Sequence, residues 1–148
     1  MLTAENKRLT ASLEDYLEAI AELISYNGHA HTKEIAEKLG VKMPSVAKAM
    51  VELKKMGLVR QEPYSGVELT EEGERVAAMI LNRHILLKGF LIKLGVSEAI
   101  ADKDACSMEH ILSAETLGKI EDFVKPSNAI ASAKVSSVKK LRVVKNTK

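Results

Sequence analysis

The sequence predicts a mainly α-helical fold carrying one short β-ribbon. Three observations lead there. Apolar residues recur every three or four positions over most of residues 11–125. Alternation with period two is confined to one short stretch, around Val67 and Leu69. Only two Phe, three Tyr and no Trp are present, so the core must be aliphatic. With 148 residues, 46% of them hydrophobic, the chain suits one modest domain or two small packed ones.

The first helix is expected from about Ala11 to Tyr26, with Leu13, Leu17, Ile20 and Ile24 at helical spacing and Ser12 as its cap. "NGHAH" makes a turn. A short helix follows over "TKEIAEKLG", capped by Thr32 and stopped by Gly40. "VKMPSVAKAMVELKKMG" forms the next, with Pro44 in its first turn, where a missing N–H does no harm, and Gly57 at its end. "LVRQEPYSGVELT" reads as strand, turn and strand, the turn supplied by Pro63 to Gly66. Thr70 caps a long helix reaching about Leu94, and Glu71 and Glu72 favour its dipole. Ser97 to about Ser113 and Ala114 to about Lys125 complete the helices, the former with a break near Cys106.

That order, with two short crossing helices followed by a ribbon, is the order of a winged helix-turn-helix. Ile35, Ala36, Leu39, Val46, Met50 and Leu53 are its expected core. The second short helix then presents Lys42, Pro44, Ser45 and Lys48 outward, chemistry suited to phosphates and base edges in a major groove. Lys54 and Lys55 extend the basic face, and Arg60 stands on the wing beside the phosphate backbone. A charge-flanked helix pair is also compatible with a merely solvated scaffold. The net charge of +2 is too small to establish a nucleic-acid partner.

Other classes are excluded or disfavoured. No apolar stretch reaches the ~20 residues of a membrane span, and the polar start "MLTAENKRLTASLEDYL" lacks a signal-peptide core. A single cysteine, Cys106, allows no intrachain disulfide, which points to a reduced, cytoplasmic protein. There is no nucleophile elbow, phosphate-cradling glycine loop or HExxH helix, so no enzyme is expected. Beyond Pro126 the chain is basic, without an acid; a solvated tail and a DNA-touching arm both fit.

"DACSMEHIL" needs a separate account. Cys106, Glu109 and His110 fall at i, i+3 and i+4, one face of a helix, and all three types bind metals. Asp15 and Glu18 share a face of the first helix, and His84 lies in the long helix on a stripe with Ile80, Leu87 and Leu91. Each has an ordinary alternative. Asp15 could complete a capping box with Ser12, Glu18 could face water, and His84 could be a satisfied core residue. Cys106 could be a small buried hydrophobe, and Glu109 with His110 a surface pair. Spacing does not show that the three segments meet.

The sequence resembles the diphtheria toxin repressor family of metal-dependent transcriptional repressors, in particular its short manganese-regulator branch without an SH3-like domain. The carriers are "SLEDYLEAI", "IAEKLGVKMPSVAKAMVELKKMGLV", "GVELTEEGE", "RHILLKGFL" and "CSMEHILS". The expected division is a winged helix-turn-helix DNA-binding head over residues 1–74, a helical dimerisation and metal-binding part over 75–125, and, from composition, a basic tail over 126–148. The resemblance implies a regulatory metal site of Asp15, Glu18, His84, Cys106, Glu109 and His110. Asp15 and Glu18 look like the manganese branch; Cys106 looks like the iron-responsive one. Where longer members place an ancillary glutamate this chain has Lys88, which puts that second site in doubt, and Asp102 is a weak candidate for a second ion. The ion expected is Fe(II) or Mn(II), with Zn(II), Co(II) or Ni(II) as substitutes. The expected function is a homodimeric repressor of metal-homeostasis genes that binds a DNA operator and no membrane; the alternative is a winged-helix regulator that does not respond to metal.

Overall fold

The computed structural model describes residues 9–126. The basic tail from residue 127 onward lies outside them. Helices α1 (Ala11–Asn27), α2 (Thr32–Leu39) and α3 (Met43–Lys55) lead into a hairpin of β1 (Val59–Gln61) and β2 (Val67–Leu69). Then come the long helix α4 (Glu71–Lys93) and two shorter ones, α5 (Glu98–Met108) and α6 (Ala114–Val124).

The N-terminal head closes around α1. Leu17 and Ile20 are fully buried there, against Ile35 from α2 and Val46 and Leu53 from α3. Ala36 and Met50 join this core as expected, while Leu39 packs only partly against it. Burying a Leu- or Ile-sized side chain is worth roughly 1.5–3 kcal/mol, so these few residues account for much of the head's cohesion. The hairpin pairs Val59 with Leu69 and Gln61 with Val67, antiparallel. Val59 and Val67 turn inward onto the helices, and Arg60 and Glu68 outward.

Two caps differ from the sequence reading. Thr10, not Ser12, caps α1: its backbone is extended and its side chain accepts from Leu13 N–H at 3.3 Å. Ser12 already lies inside the helix, where its own backbone cannot open to a cap. Likewise Thr32 is the first residue of α2, and His31 holds the cap position. Glu34 reaches back to accept from His31 N–H at 2.8 Å. Thr70 does cap α4, accepting from Gly73 N–H at 3.0 Å.

The start of α4 is locked onto the head. Thr70 donates its N–H to Leu58 O at 3.0 Å and its hydroxyl to Gly57 O at 2.6 Å. Gly73 sits so close that an added Cβ would stand 1.9 Å from Leu58 O; only glycine permits this approach. Ala77 and Ile80 then complete the head's core, so the first turns of α4 belong to it structurally.

Beyond Ile80 the character changes. Leu87, Ala101 and Ala105 are the buried apolar residues of the C-terminal helices, and α6 buries none. Leu81, Ile85 and Ile92 on α4, Ile100 on α5, Ile111 and Phe123 are all exposed in the single chain. Helix α5 stops at Met108, shorter than the expected end near Ser113, with Glu109 as its C-cap.

Candidate metal centre and nucleic-acid interface

Three segments meet where α1, α4 and the end of α5 converge. Glu18, His84 and Glu109 each offer one donor atom, and these atoms lie within 4.8 Å of one another. The early stop of α5 matters here. At its C-cap Glu109 is fully buried, with 0% of its surface exposed, and His110 follows with a nearly buried side chain.

His84 lies between two carboxylates. Its Nδ1 is 3.0 Å from Glu109 Oε2 and its Nε2 is 3.0 Å from Asp102 Oδ1. Both ring nitrogens therefore face acceptors, so either the ring is an imidazolium or one carboxyl group keeps its proton. Asp102 in turn receives Lys88 Nζ at 3.1 Å, and Glu98 stands 3.5 Å from that ammonium. His110 forms a second knot. Its Nδ1 is 3.0 Å from Glu14 Oε2, and Asp15 Oδ1 lies 2.8 Å from its Nε2 but outside hydrogen-bond geometry. Arg83 donates to Glu14 Oε2 at 3.2 Å and to Glu109 O at 3.1 Å, fastening the two knots together.

The charge state follows from this crowding. Burial, then the Glu18 carboxylate, push the Glu109 pKa up to about 7. Burial and the nearby Glu22 raise that of Glu18. For His84, burial opposes the charged ring, but the Asp102 hydrogen bond and the Glu109 charge outweigh it and the pKa is raised. His110 behaves the same way, with Glu14 and Asp15 as the winning partners. The cluster thus holds protons that isolated side chains would give up.

Three buried atoms make no hydrogen bond among the described residues: Glu109 Oε1, His110 Nε2 and Arg83 Nε. Orphaned buried polar atoms are costly. Here they accompany a carboxylate–imidazole donor set of the type that accepts Mn(II) or Fe(II), and the residues present fit such an ion.

Of the expected ligands, then, Glu18, His84 and Glu109 are brought together, with His110 and Asp15 adjoining. Cys106 is not in that group. It is exposed on α5, and partial burial with the charges of Glu109 and Glu18 pushes its thiol up to about 11. Helix α5 ends at Met108, but Glu109 keeps helical dihedrals and its N–H bonds Ala105 O at 3.0 Å, so Cys106 and Glu109 still stand one turn apart. Asp15 pairs with His110 rather than with Ser12. The sequence reading passed over Glu14 and Arg83. Their signal was present: Glu14 is one turn before Glu18 on α1, and Arg83 adjoins His84.

The expected DNA-facing residues are all exposed. Lys42 occupies the N-cap of α3, with Pro44, Ser45 and Lys48 on its open side. Arg60 stands 4.0 Å from Glu68 across the wing. Lys54 is turned towards the wing instead, donating to Gln61 O at 3.2 Å. Tyr64, missed by the sequence reading, projects fully from the wing tip on a left-handed backbone, φ 65°.

Residues 8–67 match the family described as iron dependent repressor, N-terminal DNA binding domain. Residues 70–128 match its companion, iron dependent repressor, metal binding and dimerisation domain. The chain belongs to the iron dependent repressor family. Among relatives of this family, the transcriptional regulator MntR of Escherichia coli O6:H1 is 43% identical over 117 residues, covering 79% of this chain and 76% of that protein. An uncharacterised helix-turn-helix regulator of Methanocaldococcus jannaschii is 39% identical over 119 residues, covering 79% of this chain and 95% of its own length. Among solved structures, a manganese-dependent transcriptional repressor in complex with manganese superposes with a TM-score of 0.69 at 29% identity over 76% of this chain. This chain spans 52% of that structure's length. Both halves of the iron dependent repressor pattern, DNA-binding and metal-binding, thus map onto the two regions described above.

Proposed function

We infer that the chain is a metal-dependent transcriptional repressor whose head is held for DNA by an ion at Glu18, His84 and Glu109. The observation that carries this reading is the fully buried Glu109, whose donor atom lies within 4.8 Å of those of Glu18 on α1 and His84 on α4. When bound, a divalent ion, Mn(II) or Fe(II), supplies the positive charge that this cluster of carboxylates lacks. The chain's own residues do the rest. Glu18 belongs to α1, the central helix of the head, while His84 and Glu109 belong to the C-terminal helices. Shared ligation by the three makes the head and those helices one body. Asp15 and His110 form the adjoining pair, Glu14 and Arg83 orient them, and Cys106 is exposed on α5.

In this reading residues 1–74 form the DNA-binding part and 75–125 the dimerisation and metal-binding part, with the first turns of α4 packed into the head. The exposed apolar residues of α4 to α6 make the homodimer contact. Each head then places α3 in a major groove, with Lys42, Pro44, Ser45, Lys48 and Arg60 at the DNA and half-sites about one turn, ~34 Å, apart. Such a protein works in the cytoplasm. Metal and DNA reinforce each other because both favour the same arrangement.

The test starts by selecting an operator from a random duplex library with Mn(II)-loaded protein. Binding is then measured with and without Mn(II). The expected gain with metal is ~5–150-fold, a coupling of ~1–3 kcal/mol. Glu109→Ala should lose the gain and keep the weak metal-free binding. Equal affinity in both forms of the native protein would sink the switch.

A further inference from the structure

The chain has four histidines. Two belong to the cluster above. The other two, His29 and His31, lie in the turn between α1 and α2, and neither the repressor reading nor the family resemblance gives them a role. They converge with Glu34 from the first turn of α2: one donor atom of each lies within 4.8 Å of the others. His29 Nδ1 is 3.4 Å from Glu34 Oε2, and the two imidazole rings are 4.8 Å apart between centroids.

We propose that His29, His31 and Glu34 form a second, surface metal site for a borderline dication of the Zn(II), Ni(II) or Cu(II) class.

The geometry is suited to it. A tetrahedral ion with bonds of about 2.0–2.1 Å holds its ligand atoms roughly 3.3–3.4 Å apart, close to the His29–Glu34 separation. The site is also fixed before any ion arrives. Glu34 is oriented by the backbone N–H of His31 at 2.8 Å. The turn itself is pinned by Val67 N–H, which donates to Ala30 O at 2.7 Å, and Ala30 is fully buried. His29 and His31 are exposed, which leaves room for water to fill the remaining coordination positions.

The helix N-terminus disfavours a cation. Glu34 offsets this, since its hydrogen bond from His31 keeps its pKa below the usual carboxylate value and the group charged. The oxygen that accepts from His31 N–H, Oε2, is also the one that faces His29 Nδ1, and a carboxylate oxygen keeps a second lone pair for an ion.

The two sites differ in chemistry. Imidazole-rich sets follow the ordinary affinity order, in which Mn(II) is weakest and Cu(II) strongest. The Glu18–His84–Glu109 set is richer in carboxylate. They also differ in place: from Glu18 to Asn27 the helix advances about 14 Å at 1.5 Å per residue. The His31 ring borders the wing, where a Cβ added at Gly66 would stand 3.5 Å from His31 Cε1. An ion here therefore sits against the DNA-facing hairpin.

The experiment is calorimetric titration of metal-free full-length protein with Zn(II), alongside His29→Ala and His29→Ala/His31→Gln. The expected result is a binding phase of one equivalent in the native protein that is absent from both variants. Proton NMR of the imidazole C2–H signals in the native protein should show the His29 and His31 pair shifting with that phase. Identical isotherms for the native protein and His29→Ala would overturn the site. His29 makes no backbone hydrogen bond that supports the fold, so this single variant decides the matter even if the double variant, altered at the α2 cap, unfolds. Zn(II) shifting only the His84 and His110 signals would overturn it as well.

Discussion

The head and the C-terminal helices close in different ways. The head buries Leu17, Ile20, Ile35, Val46 and Leu53 completely and needs nothing more to exclude water. The C-terminal helices bury little beyond Leu87, two alanines and the charged Glu109. They leave Ile85, Ile111 and Phe123 largely exposed. One region is thus held by apolar burial within the chain. The other relies on a polar knot that keeps its protons and an apolar face that lacks a partner. A switch needs that asymmetry: a stable reading head beside a region whose order depends on what binds it.

The comparison breaks most directly in the head. Ile20→Ala should cost ~2–5 kcal/mol by cavity formation, seen as a lower urea midpoint for the whole head. An unchanged midpoint would mean the head does not rest on this core. In the C-terminal region Ile85→Glu should leave the thermal unfolding of the head intact but weaken self-association. A loss of ~2 kcal/mol, about thirtyfold in Kd, is the size expected for an interface anchor. Sedimentation equilibrium reads it, and an unaltered dimer would place the contact elsewhere.

Acidity sharpens the contrast further. Glu109, His84 and His110 all have raised pKa values in the fold. A raised value means stability that is present below the unfolded pKa and lost as pH rises through the folded one. For Glu109 that window runs from 4.5 to about 7; for the histidines it begins at 6.5 and extends upward. Metal-free protein should therefore lose stability from this knot as pH rises from 4.5 to about 7 through Glu109, and above 6.5 through the histidines. Calorimetry with a chelator should show a smaller slope for Glu109→Gln. Metal protection should run the other way, growing with pH, because the ion displaces these protons. Parallel slopes for native and variant protein would remove Glu109 from the account.

The smallest effect concerns Cys106. Co(II) bound by Glu18, His84 and Glu109 should give weak visible bands without strong near-ultraviolet sulfur charge transfer. Cys106→Ser should leave the spectrum unchanged. A strong charge-transfer band lost in that variant would bring the thiolate into the site after all.

Much of this was legible in the chain. The spacing of Leu13, Leu17 and Ile20, the turn at Pro63–Gly66 and the Thr70 cap are local signals, and local signals survive into the fold. The winged helix-turn-helix order and its core followed from them. The cap of α1 was misplaced by two residues because Thr10 and Ser12 are chemically equivalent caps, and only backbone dihedrals separate them. Near Cys106 the pattern of i, i+3 and i+4 looked like one helical face. The structure buries Glu109 and nearly buries the His110 side chain, while Cys106, one turn before Glu109, is exposed.

The sequence alone determined which residues could ligate a metal and which helices would carry them, since residue type and periodicity are properties of single segments. Tertiary structure alone decided which of them meet. Glu18, His84 and Glu109 lie far apart along the chain, and their donor atoms are brought within 4.8 Å only by the crossing of α1, α4 and α5. Glu14 and Arg83 enter for the same reason: a hydrogen bond 69 positions long in sequence has no local signature. Distance along a chain constrains distance in space only over a few residues, so the members of the site were readable and its assembly was not.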